Sequence, residues 1–187
     1  MPLRALIVCL IALMTLPALA GPERYRLDTD RSVVGFTYSF EGAEQSGRMP
    51  VASADMRIDL DNVAKSRVDV TLDASRARAG FLLATQAMKG PEVLDTARFP
   101  QITFRSTRVT GDLSGATVTG ELTVRGITRP VTLRAGLYRQ RGTEAGSRDR
   151  LAIQLTGSIS RSAFGADGFA GFVDDRIGLT IIARIEK

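Results

Sequence analysis

The chain has 187 residues, of which 44% are apolar and 24% charged, with 25 basic against 20 acidic residues for a net charge of +5. That length fits one domain, and the apolar share excludes wholesale disorder. One cysteine and no histidine exclude His-based nucleophilic triads, His general bases and the common His/Cys zinc sites.

Residues 1–20 read as a cleavable export signal. Arg4 supplies the positive start, residues 5–16 an apolar stretch, Pro17 a break, and Ala18-Leu19-Ala20 a small-residue cleavage site. The apolar run is shorter than the roughly 20 residues of a membrane span. Cys9 lies inside this run and away from the cut, so no lipid anchor is expected. The expected mature domain, residues 21–187, contains no cysteine, is expected to reside in the periplasm, and must be held by its own core. At that size about 70% of the unfolded chain's surface can be buried.

Period-two alternation then dominates. Val34, Phe36, Tyr38 and Phe40 share one face of a strand, followed by Met56, Ile58 and Leu60, and by Val68, Val70 and Leu72. The intervening Asp55, Asp59 and Asp61, and Asp69 with Asp73, are expected to face solvent. Over residues 77–89 the period changes, and Phe81, Ala84, Thr85 and Met88 fall at helical spacing until Gly90-Pro91 ends the run. A further helical turn is expected over residues 92–97.

Strands resume after Phe99-Pro100. Ile102, Phe104 and Ser106 face one way, as do Val118, Gly120, Leu122 and Val124 after a turn at residues 111–115. Gly126 turns the chain into Val131, Leu133, Ala135 and Leu137. Leu151, Ile153, Leu155 and Ile159 follow, and Ile177, Leu179, Ile181, Ala183 and Ile185 close the chain. About eight strands with short turns and one helical insertion predict an all-β sandwich or an up-and-down barrel.

Candidate sites are few. Asp167, Asp174 and Asp175 lie in a glycine-rich stretch whose spacing does not fit a calcium loop, so no metal is expected. All basic residues but Lys65, Lys89 and Lys187 are arginines. They are densest at Arg139, Arg141, Arg148 and Arg150, which read as a solvated hairpin tip, with transient contact with an anionic membrane surface as the alternative. The aromatic residues fit either an ordinary core or an elongated apolar cavity.

Several segments together carry a resemblance. They are Tyr25-Arg26-Leu27-Asp28 with Val34-Gly35-Phe36, and Val93-Leu94-Asp95-Thr96-Ala97-Arg98-Phe99-Pro100 running into Ile102-Thr103-Phe104. Further on stand Gly120-Glu121-Leu122-Thr123-Val124-Arg125-Gly126-Ile127-Thr128-Arg129-Pro130-Val131 and Ser160-Arg161-Ser162-Ala163-Phe164-Gly165. Over roughly residues 25–186 the chain resembles the YceI-like family of exported polyisoprenoid-binding proteins. The resemblance implies an eight-stranded antiparallel lipocalin-like barrel with a helical insertion between strands 3 and 4. It implies a long apolar pocket for an isoprenoid lipid, a polyisoprenoid or an isoprenoid quinone, and a carrier role without catalytic residues, required cofactor or nucleic acid. The sequence departs from the family at Arg31, where relatives often carry His, at Met49 and Leu94, where they often carry an aromatic residue, and over Ala87-Met88-Lys89-Gly90, where a His-Leu-Arg-Ser-like run is common.

On this basis Val34, Phe36, Tyr38, Phe40, Met56, Ile58, Phe81, Met88, Leu94, Ile102, Phe104, Ser106, Leu122 and Phe164 are expected to line the cavity, with the Tyr38 and Ser106 hydroxyls available to a head group. Two rival readings stand beside this one. A structural or stress-related barrel without ligand predicts a filled interior, and a small-substrate hydrolase or isomerase needs a carboxylate facing inward.

Overall fold

A computed structural model describes residues 21–187 apart from positions 141 and 145. The expected export signal and Arg141 therefore lie outside the described residues.

Ten antiparallel strands form one sheet that closes on itself. In chain order they are β1 (Glu23–Leu27), β2 (Val33–Phe40), β3 (Ala43–Arg48), β4 (Val51–Ile58), β5 (Arg67–Asp73), β6 (Gln101–Gly111), β7 (Ala116–Val124), β8 (Ile127–Arg139), β9 (Arg150–Ser160) and β10 (Arg176–Glu186). Neighbours follow the chain from β4 to β10, and β1 joins β4 on one side to β10 on the other. The β2–β3 hairpin extends the wall from the other part of β10, with Leu179 opposite Phe36 and Phe36 opposite Gly47.

The order simplifies once two breaks are seen. β1 continues into β2 after a jog at residues 28–32, and β3 continues into β4 after Met49 and Pro50. The Met49 N–H donates to the Val34 carbonyl at 2.9 Å, and the Ser32 Oγ accepts from the Arg184 N–H at 3.0 Å, so both jogs are tied to the wall. The barrel is thus an up-and-down meander of eight long staves, the first two each interrupted once. Closure leaves few unpaired edges in the antiparallel sheet.

The helix, α1 (Leu82–Lys89), falls between the third and fourth staves, in the connection from β5 to β6. It is shorter than its periodicity predicts. Residues 77–80 are instead non-helical: Ala77 is extended, Arg78 bridges antiparallel to Arg48 of β3, and Gly80 turns the chain at a φ of 72°. Residues 92–97 form turns rather than helix, with the Asp95 N–H donating to the Gly90 carbonyl at 2.8 Å and the Phe99 N–H to that of Asp95 at 2.8 Å. Arg125 fixes this segment from the β7–β8 turn, donating to the Pro91 and Val93 carbonyls at 2.7 and 2.6 Å. That turn needs positive φ at both central positions, 51° at Arg125 and 75° at Gly126, the geometry that matches strand twist in a two-residue hairpin.

The apolar core is divided between two clusters. Tyr25, Met56, Ile58, Leu60, Leu151 and Ile185 pack toward the end where β1 begins. Ala74, Ile102, Val124, Val131 and Phe164 pack toward the end that carries α1. One acidic residue departs from the expected outward face. β4 ends at Ile58, and the next residue, Asp59, is buried. The turn that follows needs an acceptor, and the Asp59 carboxylate takes the N–H groups of Asp61 at 3.0 Å and Asn62 at 2.7 Å. Asp55 and Asp61 are exposed as expected.

Candidate functional site

A cavity of about 670 Å³ occupies the barrel. Protein interiors are close-packed, with few voids larger than a water molecule, so a space of this size is not residual looseness. Its lining runs from Val63 and Leu113 at one end to Phe81, Leu83, Phe169 and Phe172 at the α1 end. The inward faces of the strands supply the length between, as period-two alternation requires.

Every residue expected to line the cavity does so except Ser106. Val34, Phe36, Tyr38 and Phe40 come from β2, Met56 and Ile58 from β4, and Ile102 and Phe104 from β6. Leu122 comes from β7, Phe81 and Met88 from the helical connection, Leu94 from the turns after it, and Phe164 from the β9–β10 loop. Ser106 is buried but occupied elsewhere. The β5–β6 ladder ends at Asp69 and Arg105, and β6 bulges between Ser106 and Arg108. The next N–H of β5, that of Val68, is left without a ladder partner, and the Ser106 hydroxyl oxygen accepts it at 2.8 Å. Ser106 repairs the wall instead of facing the interior.

Tyr38 also has a structural partner. Its hydroxyl donates to the Ala79 carbonyl at 3.1 Å, and the Ala79 N–H donates to Thr85 Oγ1 at 3.0 Å. Ala79, in the lead into α1, is thus held on both its backbone groups by side chains of β2 and of the helix. Burial pushes the Tyr38 hydroxyl pKa up, which keeps it a donor at neutral pH. Other polar groups along the lining are likewise engaged. Ser66 Oγ accepts from the Asp59 N–H at 3.0 Å, and Ser32 is bonded to Arg184 as above. Glu41 and Asp112 stand at the two ends, both exposed.

Arg161 is the polar residue that sequence reasoning did not single out as a site residue. It is buried, and its guanidinium donates to four backbone carbonyls: Asp174 at 3.1 Å, Ala166 at 2.5 Å, Gly168 at 2.7 Å and Val173 at 2.9 Å. The planar fork of donors suits this task, because a loop that returns on itself points several carbonyls at one place. Arg161 thereby organises residues 161–175 into a loop along the rim at the α1 end, joined to the helical connection by the Gly168 N–H to Glu92 carbonyl bond at 2.9 Å. Phe169, Phe172 and Val173 reach the cavity through this loop, and Met49, Val51 and Leu83 also line it. No strand periodicity marks the loop residues Phe169, Phe172 and Val173, and Met49 sits at a jog; Val51 opens β4 before a register shift, and Leu83 lies in α1 outside the set Phe81, Ala84, Thr85 and Met88.

Of the arginine cluster, Arg139, Arg148 and Arg150 lie at the opposite end. Arg148 pairs with Asp61 at 2.8 Å, and its carbonyl accepts the Tyr25 hydroxyl at 2.9 Å. Its role is to seal the β8–β9 connection against the β4–β5 turn.

Residues 25–185 match the family described as the YceI-like domain. Protein YceI of Escherichia coli is 31% identical over 123 residues, covering 66% of this chain and 64% of that protein. A UPF0312 protein of Enterobacter is 32% identical over 123 residues with the same coverage. The matched region therefore spans about 64% of the length of these curated relatives. Among solved structures, BcnA of Burkholderia cenocepacia superposes with a TM-score of 0.74 at 20% identity, covering 84% of this chain and 98% of that one. A polyisoprenoid binding domain from Saccharophagus degradans gives a TM-score of 0.66 at 14% identity, covering 87% and 97%. At these identities the structural likeness establishes the fold.

Proposed function

The chain belongs to the YceI-like family, and on that premise we propose that its barrel binds an isoprenoid-type lipid, a polyisoprenoid or an isoprenoid quinone, as a periplasmic carrier without catalytic activity. The observation that carries this reading is the cavity. It is long, about 670 Å³ in volume, walled by aliphatic and aromatic side chains, and its inward polar groups already have partners within the protein.

Such a site favours a ligand that asks for burial and little else. Each CH₂ moved from water into it contributes about 0.8 kcal/mol. A chain of several isoprene units accumulates a large favourable term against the cost of ordering it. A polar head is accommodated at an end, where Glu41 or Asp112 and water are within reach. The polyisoprenoid-binding domain that shares this fold supports the choice of ligand class, and the export signal read in residues 1–20 supports the compartment. The filled-barrel alternative is disfavoured by the open interior.

The test is native mass spectrometry of the purified mature protein, followed by organic extraction. The expected result is a stoichiometric apolar adduct with an isoprenoid mass that extraction removes. A bare-protein mass that stays unchanged after incubation with quinones and polyprenols overturns the proposal.

A further inference from the structure

The rim of the cavity at the α1 end is apolar and uncovered. Leu82 and Leu83, in the first turn of α1, are 71% and 70% exposed, and Phe81 just before them is 45% exposed. Phe169 and Phe172 of the β9–β10 loop are 45% and 54% exposed. The two segments form one patch. Phe81 meets Phe40 edge-on with ring centroids 6.2 Å apart, Phe40 bridges to Val173, and the Glu41 N–H donates to the Phe172 carbonyl at 2.8 Å. Apolar side chains scattered singly on a surface are ordinary, whereas a contiguous set around a cavity mouth marks a contact surface.

Three features say what it contacts. Leu82 and Leu83 are both largely exposed, Leu83 at the edge of the cavity lining and Leu82 outside it, so they suit insertion into a soft apolar phase better than reception of a partner's side chains. Next, the patch is continuous with the lipid cavity, so whatever covers it faces the ligand's route. An isoprenoid chain is driven out of water, and the phase that holds it is a bilayer. Finally, one flank is cationic. Arg48 and Arg78 bridge each other's backbones at 2.8 and 2.9 Å, both are exposed, and neither forms a salt bridge among the described residues. Acidic residues also stand at this end, Glu41 bonded through its N–H to the Phe172 carbonyl, Glu92 through its carbonyl to the Gly168 N–H, Glu44 on β3, and Asp167 and Asp174 in the β9–β10 loop, so the cationic character is confined to the Arg48–Arg78 flank.

We propose that this rim is a membrane-docking surface. Leu82, Leu83, Phe169 and Phe172 enter the outer part of a leaflet, Arg48 and Arg78 meet lipid phosphates, and the cavity opens onto the acyl region. The proposal rests on the lipid-binding reading above and adds where and how the lipid is exchanged. An apolar tip with flanking guanidinium groups is the combination that binds anionic interfaces reversibly.

Vesicle flotation of the mature protein tests it, with phosphatidylcholine vesicles compared with vesicles that also contain phosphatidylglycerol. The wild type is expected to float with both, more strongly with the anionic vesicles and less so at high salt. Leu82→Glu is expected to weaken partition about tenfold on both, and Arg78→Glu to weaken it on anionic vesicles alone. Absence of flotation by the wild type, or Leu82→Glu indistinguishable from it, overturns the proposal. Uptake of a polyprenol separates the two readings. Leu82 lies outside the cavity lining, so Leu82→Glu is expected to take up polyprenol from detergent to the wild-type extent but more slowly from polyprenol-doped vesicles. If the wild type takes up none from detergent, the lipid-binding reading fails, and flotation still decides docking.

Discussion

Phe36 of β2 stands opposite Gly47 of β3, and the Phe36 ring lies over the glycine where a side chain would project. The Arg78 carbonyl borders the same space at 2.5 Å from the place of a Cβ. Gly47 is therefore the shelf on which a cavity-lining ring rests. Gly47→Ala is expected to destabilise the protein by about 1–3 kcal/mol, the usual cost of overpacking. Urea unfolding checks this, and an unchanged midpoint would show that the hairpin yields freely.

The Phe104 ring likewise lies over a glycine, here diagonally, since Gly120 of the neighbouring β7 pairs with Ser106 and a Cβ on it would collide with that ring. The two rings project from different staves into one cavity. Phe36→Arg and Phe104→Arg are each expected to abolish retention of an isoprenoid lipid, because a buried guanidinium without partners must draw water inside. Extraction and mass analysis of the folded variants is the check. Wild-type lipid content in either variant would remove that position from the site.

The bond from the Tyr38 hydroxyl to the Ala79 carbonyl at 3.1 Å fastens the helical connection to β2. Tyr38→Phe leaves that buried carbonyl without a donor, at an expected cost of about 1–3 kcal/mol. Lipid retention is expected to remain within about twofold of wild type, since the proton is already committed within the protein. Hydrogen exchange of the Ala79 amide should quicken. A loss of retention without a change in stability would instead assign the hydroxyl to a head group.

Arg161 holds the β9–β10 loop by its four carbonyl contacts. Lysine offers a point charge in place of the planar fork and cannot reproduce them. Arg161→Lys is expected to cost about 3 kcal/mol or more and to expose residues 161–175 to proteolysis. Limited digestion with mapping of the first cut reads this out, and a first cut elsewhere would count against the loop's dependence on Arg161.

Tyr25 is almost fully buried at the other end, donating to the Arg148 carbonyl at 2.9 Å. Burial, and after it the neighbouring Glu23 carboxylate, push its pKa up to about 12, against about 10 in the unfolded chain. The native state thus keeps its proton where the unfolded state has lost it. The associated stability is complete below about pH 10 and is lost as pH rises toward about 12. Tyr25→Phe is expected to flatten the fall in stability across that window relative to wild type. Parallel alkaline melting curves of the two proteins would refute it.

Much of this molecule follows from local pattern. Alternation of apolar and polar residues belongs to a strand whose one face is buried, so Val34 to Phe40, Ile102 to Phe104 and Val118 to Val124 declare both their element and their inward face without reference to neighbours. The break in period at Phe81 to Met88 likewise places the helix between the third and fourth staves. β1 and β3 escaped because β1 is short and β3, Ala43-Glu44-Gln45-Ser46-Gly47-Arg48, is polar on both faces.

What the pattern cannot contain is decided by closure. Period two states that a face is buried, not whether the opposite wall stands close enough to fill the space, so a packed core and a cavity of about 670 Å³ share one sequence signature. The same holds for hydroxyls and charges: Ser106 turned to the Val68 N–H, Asp59 to the turn at Asp61 and Asn62, and Arg161 to its loop carbonyls. Each partner is a backbone group exposed by a bulge, a strand end or a loop. Such groups acquire their positions only when distant staves come together, because an unsatisfied buried donor or acceptor exists only once there is an interior. The sequence by itself determined the staves, their inward faces and the helical insertion. The tertiary structure alone decided that the interior stays open and that its mouth at α1 is apolar.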